Sequence, residues 1–296
     1  SAEELLNQAT LAALQAQALP GSRVVMAHST LLDQGLRDYH WETALHQALE
    51  RQELTAWLQP IVDLQTRRPI GFECLARWPQ PDGRVVSPSE FLNEAHSSGI
   101  TPEIDLLVIR TSLAWAETLA AAKGIGQPLL LSANLSAQLV ESAGRRQELL
   151  SLISNATLPA GVQLQLELLE ELLQEGEPGV TGLISALHGL QVLTAIDDFG
   201  TGYSSLSRLH SLLNNTIKID RSFVQRINDP AQPSNHLIEL MVAMGHDLTF
   251  SLTAEGIETD EQADWLTARG VHHGQGFLFG KPMSLEAAID TLKASR

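Results

Sequence analysis

Eight short runs of strand-forming residues recur between residues 54 and 277, and stretches of helical period fill most of the intervals between them. The runs are LTAWLQPIVDL (54–64), IGFECLARW (70–78), PLLLSANLS (128–136), QLQLELLE (163–170), VLTAIDD (192–198), TIKID (216–220), TFSLTAEG (249–256) and VHHGQGF (271–277). Amphipathic patterns occupy 102–123, 178–189, 233–247, 259–269 and 284–293. Two helix starts are marked, by Ser284 ahead of Leu285-Glu286-Ala287 and by Thr259 three residues before Gln262. Eight strands alternating with helices predict an α/β fold, a TIM-like (β/α)8 barrel over 54–296 preceded by an N-terminal helical segment. A doubly wound open sheet is the alternative.

The alternation within the runs sorts side chains by face, because successive residues of a strand point to opposite sides. Leu164, Leu166 and Leu168 oppose Gln163, Gln165 and Glu167; Phe250, Leu252 and Ala254 oppose Ser251, Thr253 and Glu255; Ile217 and Ile219 oppose Thr216, Lys218 and Asp220. Apolar faces belong against the helix layer, so the polar faces look into the barrel. Near the C-terminal ends of the runs stand Glu73, Asn134, Glu167, Asp197, Asp198, Lys218, Glu255 and Gln275. Barrel active sites are built at that rim. Carboxylates brought together there repel by about 4 kcal/mol per close pair at an effective dielectric near 20, so the group needs cations.

Charge limits what the chain can bind. With 35 acidic against 19 basic residues the formal charge is −16, which disfavours long nucleic acid and requires local cations for any anionic substrate. A hydrophobic fraction of 44% is enough for a sizeable core. No apolar run nears the roughly 18 residues of a membrane span, and residues 1–30 lack the pattern of a secretory signal, so no membrane contact is expected from this segment. The single cysteine, Cys74, fits a reducing compartment. The expected location is the cytoplasm, or the cytoplasmic part of a larger membrane-anchored protein. A start at Ser1 suggests a piece of a longer chain.

In order, QPIVDL (59–64), ECLARW (73–78), ANLS (133–136), LELLE (166–170), AIDDFGTGYSSL (195–206), IKIDRSF (217–223), AEGIET (254–259) and QGFLFGKP (275–282) resemble the motifs of EAL domains, bacterial phosphodiesterases that open cyclic di-GMP. The resemblance implies hydrolysis to linear pGpG with two Mg²⁺ or Mn²⁺ ions per site. The chemistry agrees: oxygen donors without a Cys or a helically spaced His pair suit those hard ions, and two of them about 3.5–4 Å apart can activate water and steady both oxygens of an in-line displacement. By the same resemblance Glu73, Asn134, Glu167 and Asp197 hold one ion, and Asp197 bridges to a second completed by Asp198 and Glu255. Glu73, Lys218 and Glu255 are the implied catalytic residues, with Glu255 open to reading as ligand or general base. Asp197 and Asp198 can serve together only if the strand ends or twists there, which the following Gly200 and Gly202 permit. Gln59, Leu75, Arg77, Asp220 and Gln275 are expected around the substrate. Glu170 and Glu258 are expected as supporting residues.

Two positions depart from the family pattern. Cys74 replaces the signature alanine, but its parity puts it on the helix-facing side, where a thiol behaves as a small hydrophobe. Leu169 replaces the usual threonine beside Glu170, which puts the anchoring of loop 199–206 in question. GFLFGKP (276–282) has the wrong glycine spacing for a P-loop, and Gly200-Thr-Gly202-Tyr-Ser-Ser205 lacks the third glycine of a dinucleotide fingerprint. His272-His273 reads as a loop pair. Residues 1–30 resemble the end of a GGDEF domain, with 31–53 as a helical linker; the alternative is a helix capping the barrel. The resemblance also implies a homodimer and a neighbouring GGDEF-like or sensor domain. Competing functions are an inactive cyclic di-GMP receptor, which would usually lack several of these ligands, and a two-carboxylate glycosidase, which leaves Asn134, Lys218 and the paired aspartates unexplained.

Overall fold

The computed structural model of the chain describes residues 41–124, 127–173, 178–200, 215–227 and 234–295. Strands β1 (Thr55–Asp63), β2 (Pro69–Pro79), the short β3 (Val85–Val86), β4 (Leu129–Leu135), β5 (Val162–Leu169), β6 (Leu193–Phe199), β7 (Asn215–Ile219), β8 (Ser251–Ala254) and β9 (His273–Gln275) form one sheet. From β2 through β4, β5, β6, β7 and β8 to β9 the neighbours are parallel, and β1 pairs with both β2 and β9. The sheet therefore closes as an eight-stranded barrel, with β3 lying outside it as a hairpin partner of β2. All eight expected runs supply its staves.

One stave departs from simple strand–helix alternation. β1 is antiparallel to both of its neighbours, because only a turn separates it from β2, and a parallel crossover needs a dozen or more residues. Asp63 Oδ1 accepts from the Thr66 amide at 2.7 Å and Arg67 adopts φ 57°, which closes that turn. The hairpin sets Gln59 opposite Glu73 and Trp57 opposite Leu75.

Helices cover the outside: α1 (41–50), α2 (Pro88–Ser97), α3 (Thr101–Lys123), α4 (Ala137–Glu141), α5 (Ala143–Ser154), α6 (Pro178–Gly189), α7 (Arg221–Val224), α8 (Ser234–Leu248), α9 (Asp260–Ala268) and α10 (Leu285–Ala294). The starts of α9 and α10 are capped as their sequences foretell: Thr259 and Gln262 form a reciprocal capping box, and Ser284 accepts from the Ala287 amide. Phe72, Leu131, Leu164, Leu166, Ile217 and Leu252 face outward and are essentially fully buried beneath the helices. Cys74 lies on that side too, within reach of Ser112 on α3, and burial pushes its thiol up, out of the reactive range. In α1, Leu45 and Ala48 are buried in the same core and Trp41 meets Trp78 edge-on at 5.6 Å, so the expected linker helix packs against the barrel. Among the described residues no helix is long and apolar enough to cross a membrane.

Candidate active site

Inside the barrel the polar faces meet in layers. Register places Ser132 of β4 beside Gln165 of β5, and Asn134 beside Glu167 one layer nearer the C-terminal rim. Glu73, Glu167, Lys218 and Gln275 are all nine-tenths or more buried. Glu73 is held on both oxygens: Asn134 Nδ2 donates to Oε1 at 2.7 Å and Gln275 Nε2 to Oε2 at 2.5 Å. Gln275 Nε2 also lies 3.1 Å from Gln59 Oε1. Close approach of the backbones makes this possible, since a Cβ at Gly276 would sit 2.1 Å from the Ile257 carbonyl oxygen. The strand end carrying Gln275 thus lies against the segment following Glu255.

Lys218 is the hub. Its Nζ forms a short contact with Glu167 Oε2 and lies 2.5 Å from Glu255 Oε1, 3.2 Å from Asp197 Oδ1 and 3.9 Å from Glu73 Oε1. Burial alone would push this ammonium down, but the carboxylates outweigh it and hold it well above the ordinary lysine range. The acids respond in the opposite sense. Burial drives Glu167 well above the usual carboxylate range despite the pull of Lys218, and Glu73, Asp197 and Glu255 add to the rise. Burial likewise raises Glu255 to about 7. One ammonium does not balance this many carboxylates, so the ring has capacity for more positive charge.

The paired aspartates are brought together by a break in β6. Between Ile196 and Phe199 the β6–β7 register slips, and Asp198 takes φ 54°, a left-handed conformation that aspartate tolerates better than most residues. This is the strand twist that joint service demands. Oxygens of Asp197, Asp198 and Glu255 come within 4.8 Å of one another, a grouping compatible with a cation. Asp198 is raised by burial and by the neighbouring charges of Asp197 and Asp220.

The other expected residues divide. Gln59, Leu75, Glu258 and Gln275 line one cavity of about 250 Å³ together with Glu73, Asp197, Lys218 and Glu255. Arg77 does not line it: its Nη1 donates to the Ala76 carbonyl at 2.7 Å and its guanidinium lies 5.8 Å from the Trp57 ring centre. Asp220 does not line it either; instead its Oδ1 accepts from the Ser222 amide at 3.0 Å and caps α7. That cap sets Arg221 and Gln225 on the cavity wall, where they join Phe277. Those three were not expected from sequence, although Arg221 follows Asp220 within a recognised motif. Glu170 is buried and accepts from the Gly200 amide at 2.8 Å, so the beginning of loop 199–206 is tied without a threonine at 169. Residues 201–206 lie outside the described residues, as do 1–40.

The donor set fits divalent metal. The gathered side chains are carboxylates and amides, oxygen donors suited to hard ions, and no Cys or His is among them. Gln275, whose Nε2 meets Glu73, has its Oε1 buried without a hydrogen-bond partner among the described residues, an acceptor open to a further donor or cation.

Residues 42–282 match the EAL domain family. The cyclic di-GMP phosphodiesterase PdeL of Escherichia coli is 34% identical over 244 residues, covering 81% of this chain and 65% of PdeL. The bifunctional diguanylate cyclase/cyclic di-GMP phosphodiesterase MucR of Pseudomonas aeruginosa is 35% identical over 254 residues, covering 83% of this chain and 34% of MucR. A solved structure described as the PaMucR phosphodiesterase in complex with c-di-GMP superposes with a TM-score of 0.76 at 32% identity, covering 84% of this chain and 99% of that one. Two further curated relatives match 99% of the chain, which spans 41% and 35% of their lengths. By family match and fold, the chain belongs to the EAL domain family.

Proposed function

We propose that this chain is a metal-dependent phosphodiesterase that hydrolyses cyclic di-GMP to linear pGpG, and that its ions are Mg²⁺ or Mn²⁺, two per site. The observation that carries the reading is the gathering of Glu73, Glu167, Asp197 and Glu255 within 4 Å of one buried ammonium, with Asn134 and Asp198 beside them. The names of PdeL and MucR, and the ligand named with the MucR structure, support the substrate.

Glu73, Asn134, Glu167 and Asp197 would hold one ion, and Asp197, Asp198 and Glu255 the other. Held by these residues, such ions would supply a water of lowered pKa and offset charge on the oxygens of an in-line displacement at phosphorus. Hydrolysis adds the elements of water across one diester P–O3′ bond: oxygen joins phosphorus, the P–O3′ bond breaks and a proton ends on the leaving oxygen. The surrounding carboxylates favour the charged form of Lys218, whose ammonium would offer N–H bonds to the anionic reacting group. Glu255 acts as a ligand in this reading. Gln59, Leu75 and Gln275 shape the floor and wall that receive the substrate, and Arg221 adds an exposed cation at the edge of an acidic cavity. Arg77 reaches a phosphate only after releasing the Ala76 carbonyl.

Chromatography of products after incubating the chain with cyclic di-GMP and Mg²⁺ or Mn²⁺ tests the reading. Linear pGpG should form, chelation should stop it, and Glu73→Ala should abolish it with the fold intact. Tight substrate binding without turnover under either ion would instead make the chain a receptor. A homodimer, a GGDEF-like neighbour N-terminal to the barrel and a cytoplasmic setting complete the proposal.

A further inference from the structure

A chain of buried polar side chains lies one layer below the carboxylate ring, and the reaction as described does not use it. Ser132 is fully buried, Gln165 is 3% exposed and Thr216 is 9% exposed. Ser132 Oγ donates to Glu167 Oε1 at 2.6 Å and also lies 3.2 Å from Gln165 Oε1; Gln165 Nε2 donates to Thr216 Oγ1 at 2.8 Å. Ser132 and Gln165 belong to the paired staves β4 and β5, and Thr216 to β7 on the far side of β6, so these side chains span the barrel interior under Glu167. Apolar residues at these positions would fill a barrel core at lower cost, since each buried hydroxyl or amide must recover its desolvation through bonding.

With one proton to give, the Ser132 hydroxyl gives it to the carboxylate, the shorter and charge-assisted contact. Glu167 is thereby gripped at both ends, Oε1 by Ser132 from beneath and Oε2 by Lys218 from the cavity side. A glutamate has three side-chain torsions, and this double grip removes the freedom of the last. Gln165, itself fixed by its bond to Thr216, lies beside Ser132 on the neighbouring strand and takes no proton from it.

We infer that Ser132 is a positioning residue for the metal centre: its buried hydroxyl orients the Glu167 carboxylate so that the other oxygen, the one beside Lys218, is presented to a divalent ion. The inference rests on the reading of Glu167 as a metal ligand, and its test separates the two. Groups that bond to a metal ligand from behind typically change metal affinity about 10–100-fold when removed.

The decisive comparison is Mn²⁺ binding to the substrate-free chain, followed by calorimetry or by loss of the free-ion electron paramagnetic signal. Ser132→Ala should weaken binding about 10-fold, Ser132→Thr, which keeps the hydroxyl, should recover most of the loss, and the defect should be larger in the Mn²⁺ concentration for half-maximal turnover than in turnover at saturating Mn²⁺. Should the alanine variant not fold, Ser132→Cys keeps the volume with a weaker donor and should show the same direction. Wild-type Mn²⁺ affinity in a folded Ala or Cys variant overturns the role of Ser132. If Glu167→Gln binds Mn²⁺ as the unsubstituted chain does, or that chain binds none, the metal reading itself fails and this inference falls with it.

Discussion

Lys218 occupies the position where the account is most exposed to test, because a single buried ammonium is surrounded by Glu167, Glu255, Asp197 and Glu73. Removing one partner of a buried ionic group commonly costs about 3–5 kcal/mol, since uncompensated charge remains. Without divalent ions, Lys218→Met should lower the unfolding midpoint clearly at pH 8 and less at pH 5, where the acids can take up protons. Added Mn²⁺ should restore part of the loss. An unchanged midpoint in chelator at pH 8 would mean that the carboxylates do not depend on this cation. Individual residues of the centre were legible from sequence because parity and position in the runs put them on one face and at one rim. Arg77 shows the limit of such reasoning: it shares the face of Glu73 and Leu75, yet its guanidinium turns back to the Ala76 carbonyl and the Trp57 ring. Side-chain torsion is not written in strand parity.

Among the elements, β6 carries a functional irregularity. Asp198 stands at φ 54° where the β6–β7 register slips, a conformation that Asn adopts readily and β-branched residues resist. Asp198→Asn should therefore keep the unfolding midpoint while losing most Mn²⁺-dependent turnover, whereas Asp198→Val should lose turnover and about 1–2 kcal/mol of stability. Equal stability of the two variants in thermal unfolding would remove the strain argument. The need for a break was readable from two adjacent acids asked to face one site; the slipped pairing with β7 was not. A second element-scale prediction concerns the start of α4. Asp105 on α3 accepts from the Ser136 amide at 2.8 Å, immediately after the strand bearing Asn134, and burial raises its pKa to about 6 from an ordinary 3.8. The folded state thus holds this proton more tightly than the unfolded chain. Its contribution is fully present below about pH 4 and is lost as pH rises through about 6, a change near 3 kcal/mol. Asp105→Asn keeps the acceptor without the titration. In denaturant unfolding it should be more stable than the parent chain above pH 6, with the advantage gone at pH 4; parallel stability profiles would contradict the assignment.

For the whole molecule, closure of the barrel converts dispersed motifs into one centre: Glu73 and Gln275 are 202 residues apart in sequence and hydrogen-bonded in space. The eight runs and their polar faces made this architecture legible, because period-two alternation reports burial directly. The reversed direction of β1 was legible only in the short interval before β2, too short for a crossover. Arg221, Gln225 and Phe277 escaped because their place on the cavity wall depends on α7 and on the segment after β9, whose tertiary placement no local pattern encodes. The N-terminal forty residues and 201–206, where a GGDEF-like tail and the family's loop were expected, lie outside the described structure. The overall charge of −16 and the acidic ring together mean that the substrate's phosphates need cations that the side chains do not fully supply. Crystals soaked in Mn²⁺ and measured at the manganese absorption edge address that claim directly. Two anomalous peaks are predicted, one bounded by Glu73, Asn134, Glu167 and Asp197 and the other by Asp197, Asp198 and Glu255; a cavity without anomalous density at saturating Mn²⁺ would contradict the account.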